Sequence, residues 1–205
     1  MEEKNYTAIV PPNVEGKEIT SEALVSLRDA NEAKALYKTA RERLLFVHSW
    51  GKITGTLSAD FQLTDGEGNE VDRLSNKGDH FRIDIAGPGS HEGGGYDWAY
   101  VEDIREVNEG DVDSVAITVR PAANPKTDSN NVAHFYSGQS TSTFVVTREG
   151  NKVTASIYDR NIEPNQETKS VIDKARNAVV GLGAKHGFSK MQWQALAEAL
   201  IKKEE

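Results

Sequence analysis

Between residues 55 and 160, apolar side chains recur at every second position in one segment after another. Leu57, Ala59, Phe61 and Leu63 alternate with Ser58, Asp60, Gln62 and Thr64. Phe81, Ile83 and Ile85 alternate with His80, Arg82 and Asp84, and Val115, Ile117 and Val119 with Ala116, Thr118 and Arg120. Residues 96–107 read as one long strand, and Ser142–Arg148 and Lys152–Asp159 flank the Glu149-Gly150-Asn151 turn of a β-hairpin. Successive side chains of a strand point to opposite faces, so a period of two marks a half-buried strand. The Asp65-Gly66-Glu67-Gly68-Asn69 turn is a further hairpin signal, and Pro121 and Pro125 end a strand in a polar loop that runs to about Val132. Parallel neighbours need a crossover of a dozen or more residues, usually a helix. These connections carry no helical pattern, so the expectation is an antiparallel meander of about six strands.

The flanks change period. From Thr20 to about Leu45 the chain is rich in Ala, Leu, Glu, Lys and Arg, and Ala33, Tyr37, Ala40 and Leu44 recur at spacings of three and four. This predicts helices within 20–45, with Leu24 and Leu27 on one face, Ser21 as N-cap, and Asn31 recapping after a break at Asp29-Ala30-Asn31. Residues 1–19 read as weakly ordered, with Tyr6–Val10 a short strand ended by Pro11-Pro12. After Pro164-Asn165, the stripe Val171, Ile172, Ala175, Val179 and Leu182 predicts another helix, loosened by Gly181, Gly183 and Gly187. Ser189 with Gln192 has capping-box spacing before Trp193, Leu196 and Leu200. The expected organisation is one α+β domain over 20–205, with helices in 20–45, the sheet in 55–160 and C-terminal helices in 165–204. A strand, paired short helices, six strands and terminal helices in that order are similar to the helix-grip fold of START-like and pollen-allergen-like ligand carriers. The resemblance lies in element order and implies a curved sheet packed against helices from both ends of the chain.

The formal net charge is −8, and it sits in one stretch. Asp84 to Asp113 holds nine acidic residues against Arg105, so the remainder of the 205-residue chain sums to zero. Phosphate backbones and anionic membrane surfaces require clustered Lys and Arg, which argues against nucleic acid or a membrane as partner. The chain contains no cysteine, which excludes disulfides, thiol catalysis and Cys-based zinc sites. The N-terminal residues lack a secretion pattern and no apolar run approaches the roughly 20 residues of a membrane span, so a soluble, cytoplasmic protein is expected.

The acidic stretch also holds five glycines at positions 87–95, followed by Tyr96, Trp98 and Tyr100. Gly87-Pro88-Gly89-Ser90-His91-Glu92 begins like a dinucleotide fingerprint. It ends in Glu, however, has no following Lys and leads into a strand rather than a helix, so it is no phosphate loop. It reads either as a plain connection or as a flap. Trp98 and Tyr100 share a strand face. If Ala99 and Val101 point inward, the two aromatics form an exposed hot spot with Gly89, His91, Tyr96 and Glu102; if the aromatics point inward, they are core or line a cavity. Glu102 and Asp103 point to opposite faces and no spaced calcium-loop pattern exists, so the acidic residues read as solvated surface and no metal is expected. His80, Arg82, Asp84 and His134 are the candidate pocket residues, with Arg82 disfavouring a cation between His80 and Asp84. The hydroxyl run Ser137–Thr143 reads as a lead-in to a strand. The leading expectation is a non-catalytic binding or assembly protein with its surface around residues 87–105, taking a protein partner or a small apolar ligand without a cofactor. The alternative is a small enzyme with a His/Asp pocket over the sheet.

Overall fold

The computed structural model describes residues 3–55, 59–85, 89–166 and 185–203, with the side chains of 185–189 outside that description. Six strands form where the alternation placed them: β2 (Ala59–Thr64), β3 (His80–Ile85), β4 (Asp97–Glu109), β5 (Val112–Pro121), β6 (Thr141–Glu149) and β7 (Lys152–Ile162). A seventh, β1 (Lys17–Ser26), replaces the first part of the expected helix. All pairings are antiparallel, and the sheet order is β1-β7-β6-β5-β4-β3-β2. The fold is α+β, with a helix-grip-like antiparallel sheet packed against helices.

The correction at β1 has a physical cause. Its residues favour helix, but β7 offers an open edge, and strand pairing overrides a weak local preference. Ser21 is thereby a buried strand residue opposite Ile157 rather than an N-cap, and Leu24 is left exposed on the far face. The helix proper, α1 (Ala30–Leu45), starts where Asp29 accepts from the backbone N–H groups of Asn31 and Glu32, both at 2.9 Å. The cap is therefore Asp29, two residues before the expected Asn31. A 3-10 turn (Val47–Ser49) and the short α2 (Trp50–Thr54) follow. Trp50 is fully buried, donating its indole N–H to the carbonyl of Arg43 at 3.0 Å and packing on Phe61 and Phe144.

The sheet is covered on both faces. Its inner face packs Phe61, Phe81, Val101, Ile117, Phe144 and Ile157 against α1, α2 and the C-terminal helix α3 (Lys185–Leu200). Leu196 and Leu200 of α3 are buried there, as their spacing required. The helix is already formed at Lys185, so Ser189 stands inside it and does not cap it. The expected stripe from Val171 to Leu182, together with Leu57, Gly87 and Pro88, lies outside the described residues. On the outer face, Val10 packs on Ala116, Val145 and Tyr158. Tyr6–Val10 is no strand. Glu3 pairs with Arg160, Lys4 with Glu149, and Val14 and Glu15 donate to the Asn161 side chain, so this segment is strapped across β6 and β7. Beneath it, Ser114 with Thr147 and Thr118 with Thr143 make hydroxyl pairs at 2.9 Å, which satisfies polar groups that the strap would otherwise orphan.

One end of the inner face is closed by charge. Arg148 of β6 and Asp113 of β5 form a buried pair at 2.5 Å beneath α1. Burial, reinforced by the carboxylates of Glu106 and Asp113, pushes the phenol of Tyr37 on α1 well above its ordinary pKa. Among the described residues, no helix is long and apolar enough to cross a membrane.

Candidate functional site

Among the described residues, the other end of the inner face leaves a space open. Where β5 stops at Pro121 and β6 begins at Thr141, a cavity of about 80 Å³ lies between the sheet and α3. Alternation turns Phe61, Phe81, Ile83 and Ile85 into it from β2 and β3, and Phe144 from β6. Trp193 of α3 forms the opposite wall, 5.1 Å from the Phe144 ring and 6.1 Å from that of Phe61. Phe135 and Tyr136 complete it from the β5–β6 connection. That connection is pinned along its length. Ala133 donates to the carbonyl of Ala122 and accepts from the N–H of Trp98, both at 2.8 Å. The Asn165 side chain donates to the carbonyls of Val132 and His134 at 2.9 and 3.0 Å, and the Asn165 N–H to that of Phe135 at 2.9 Å.

The polar residues of its lining are His134, Tyr136, Ser140, Thr141, Ser142 and Gln192. His134 is buried, stacks on Phe135 at 4.4 Å, and accepts at Nδ1 from the Tyr136 N–H at 3.0 Å. Ser142 also lines the space, and its hydroxyl donates to Asp159 at 2.6 Å. Asp159 stands beside Ser142 on β7, and its second oxygen accepts the Trp193 indole N–H at 3.1 Å. Burial pushes the Asp159 carboxyl up from 3.8 to about 6, against the two hydrogen bonds and the charge of Arg160, which pull it down. The Ser142–Asp159–Trp193 chain links β6, β7 and α3 at the cavity wall. It escaped sequence reasoning because the three residues meet only in space.

The residues singled out in the sequence lie elsewhere, with one exception. Ala99 and Val101 point inward, so Trp98 and Tyr100 take the outer face, yet Trp98 is not exposed there: it is 2 % accessible. The loop after Gly89 folds over it. Gly95 donates to the Ser90 carbonyl at 2.8 Å, and the Trp98 indole donates to that of Gly93 at 3.0 Å. A Cβ on Gly93 would stand 1.8 Å from the Tyr96 carbonyl oxygen, and one on Gly89 1.8 Å from that of Gly95. These glycines serve close packing within a folded loop rather than freedom of motion, and the exposed hot spot expected at Trp98 is absent. Tyr100 is 36 % accessible and packs on His80 at 5.2 Å. Tyr96 lies under the Arg82 guanidinium at 4.7 Å, Glu102 pairs with Arg120 at 3.1 Å, and His91 is exposed.

His80, Arg82 and Asp84 also face outward. Arg82 pairs with Glu70 at 2.8 Å, Asp84 is exposed, and burial depresses the pKa of half-buried His80. Only His134 of the four candidate pocket residues lines the cavity, so the His/Asp pocket does not assemble. Both faces of β3 cannot be core, and Phe81, Ile83 and Ile85 already claimed the inner one. Among the described residues, no cluster of three or more His, Asp or Glu is arranged to hold a metal ion.

No family model and no curated protein matches this sequence. Solved structures share its chain path at low identity. A hypothetical protein from Helicobacter pylori is 12 % identical, covering 93 % of this chain and 89 % of its own, with a TM-score of 0.49. A START superfamily protein from Mycobacterium smegmatis is 8 % identical over 90 % of this chain and 99 % of its own, with a TM-score of 0.38. A major latex-like protein from Panax ginseng is 14 % identical over 88 % and 99 %, with a TM-score of 0.33. These are likenesses of fold alone.

Proposed function

We propose that this chain binds a small apolar molecule in the cavity between the sheet and α3. The observation that carries the reading is the convergence of Phe61, Phe81, Phe135, Phe144 and Trp193 on an unfilled space of about 80 Å³. Protein interiors are otherwise close-packed. A dry cavity of about 150 Å³ takes up benzene, so the occupant here is small and the walls yield as it enters. Trp193 and Phe135 are walls contributed from outside the sheet, by α3 and by the β5–β6 connection.

Toluene titrated into isotope-labelled protein tests the reading. Saturable shifts confined to the amides of Phe81, Ile83, Phe144 and Trp193, abolished by the cavity-filling substitution Ala99→Leu, support it. Absence of saturable shifts up to the solubility limit of toluene rejects it.

A further inference from the structure

We propose that the cavity selects an apolar molecule carrying a hydrogen-bond donor, a hydroxyl or N–H, that points at the Ser142 oxygen. This rests on the reading of the cavity as a ligand site and goes on to name the ligand's chemistry. An ionised carboxylate only accepts hydrogen bonds. Asp159 is buried and takes one bond from the Trp193 indole, which only donates, and one from Ser142 at 2.6 Å. The single Ser142 proton is therefore committed to Asp159. What Ser142 presents to the cavity is lone pairs, made more basic by the bond to a charged acceptor. A ligand acceptor placed there would meet another acceptor, whereas a donor completes the chain from ligand to Ser142 to Asp159. The rest of the lining is mainly aromatic and aliphatic, with His134, Tyr136, Ser140, Thr141 and Gln192 as its other polar residues, so the donor sits on a largely apolar body.

The polarity of the site follows the proton on Asp159. Its carboxyl titrates at about 6, so it is ionised at pH 7.5 and largely protonated at pH 5. Protonated Asp159 donates to Ser142, which turns the serine proton toward the cavity and reverses the preference. Among the described residues, the groups facing Asp159 are Ser142 from β6, Trp193 from α3 and Ile19 from β1. Among the described residues, the charged group acting on it is Arg160, its neighbour on β7.

Pyrrole and furan have nearly the same shape, and pyrrole offers an N–H donor without an acceptor lone pair where furan offers an oxygen acceptor without a donor. The readout is the ratio of their dissociation constants, which cancels what the apolar walls contribute to both. Relative to wild type at pH 7.5, Ser142→Ala should shift this ratio against pyrrole by about fivefold, the loss of one ordinary hydrogen bond. Asp159→Asn, whose amide can donate to Ser142, and wild type at pH 5 should shift it in the same direction. A ratio unchanged by Ser142→Ala and by pH overturns the donor preference while leaving the cavity reading intact. If neither molecule binds, the cavity reading fails and takes the preference with it.

Discussion

The indole N–H of Trp193 donates to the buried carboxylate of Asp159 at 3.1 Å, so α3 is bonded to β7 through a group that burial makes hard to charge. Replacing Trp193 with Phe keeps an aromatic wall and removes the donor. The expected cost is about 1–3 kcal/mol, the penalty for leaving a buried acceptor short of a partner. Denaturant unfolding of the Trp193→Phe protein measures it, and an unchanged midpoint and slope would reject the tie.

Asp159 also sets a pH dependence of stability with a definite sign. Its folded-state pKa of about 6 lies above the ordinary 3.8, so the folded chain holds this proton more tightly than the unfolded chain does. The resulting stabilisation is fully present below about pH 4 and is lost as pH rises through about 6. The stability of wild type relative to Asp159→Asn should therefore fall by about 2 kcal/mol from pH 4 to pH 7.5. A flat difference would show that the carboxyl is not held as the structure has it.

At the other end of the sheet, Asp113→Ala strands the Arg148 guanidinium, which is 1 % exposed. An uncompensated buried charge costs about 3–5 kcal/mol. The double substitution Asp113→Leu with Arg148→Met should recover most of that loss, because a well-packed apolar pair avoids both desolvation penalties. Thermal unfolding of the three proteins decides the matter, and equal melting points for the single and double variants would contradict it.

The folded loop over Trp98 gives a fourth test. In Gly93→Ala the new methyl would stand 1.8 Å from the Tyr96 carbonyl, so the loop must move. The expected result is a red shift of tryptophan emission as the Trp98 indole meets water, with an overpacking cost of about 1–3 kcal/mol. Emission identical to wild type would mean that the loop does not cover the ring.

Much of the sheet was readable because its evidence is local. Phe61, Phe81, Val115 and Phe144 each sit in a run whose period is two, and the turn residues at 65–69 and 149–151 fix where runs end. β1 was misread because Glu22, Ala23 and Leu24 favour helix, and only the open edge of β7, about 130 residues downstream, makes them a strand. The facing of His80, Arg82 and Asp84 was present in the same alternation that marked β3, since Phe81 and Ile83 had already taken the core. The covering of Trp98 was not, because it depends on glycines approaching carbonyl oxygens three to six residues away. Nor was the cavity. Its walls come from β2, β3, β6, α3 and a connection that reads as polar, and the Ser142–Asp159 contact forms only when β6 and β7 pair.

The pairing of β1 with β7 also sets an order of events. Ser26 lies opposite Lys152 and Lys17 opposite Ile162, so the earliest-made strand has no partner until the last one has left the ribosome. Contacts this distant along the chain are slow to form, and domains dominated by them fold in roughly milliseconds to seconds. Through that interval β2 to β6 can already zip together as local hairpins, while Lys17–Ser26 keeps a composition suited to a transient helix. Conversion of that segment from coil or helix to edge strand is then the late step of assembly, and substitutions there should alter the folding rate less than they alter the rate of unfolding.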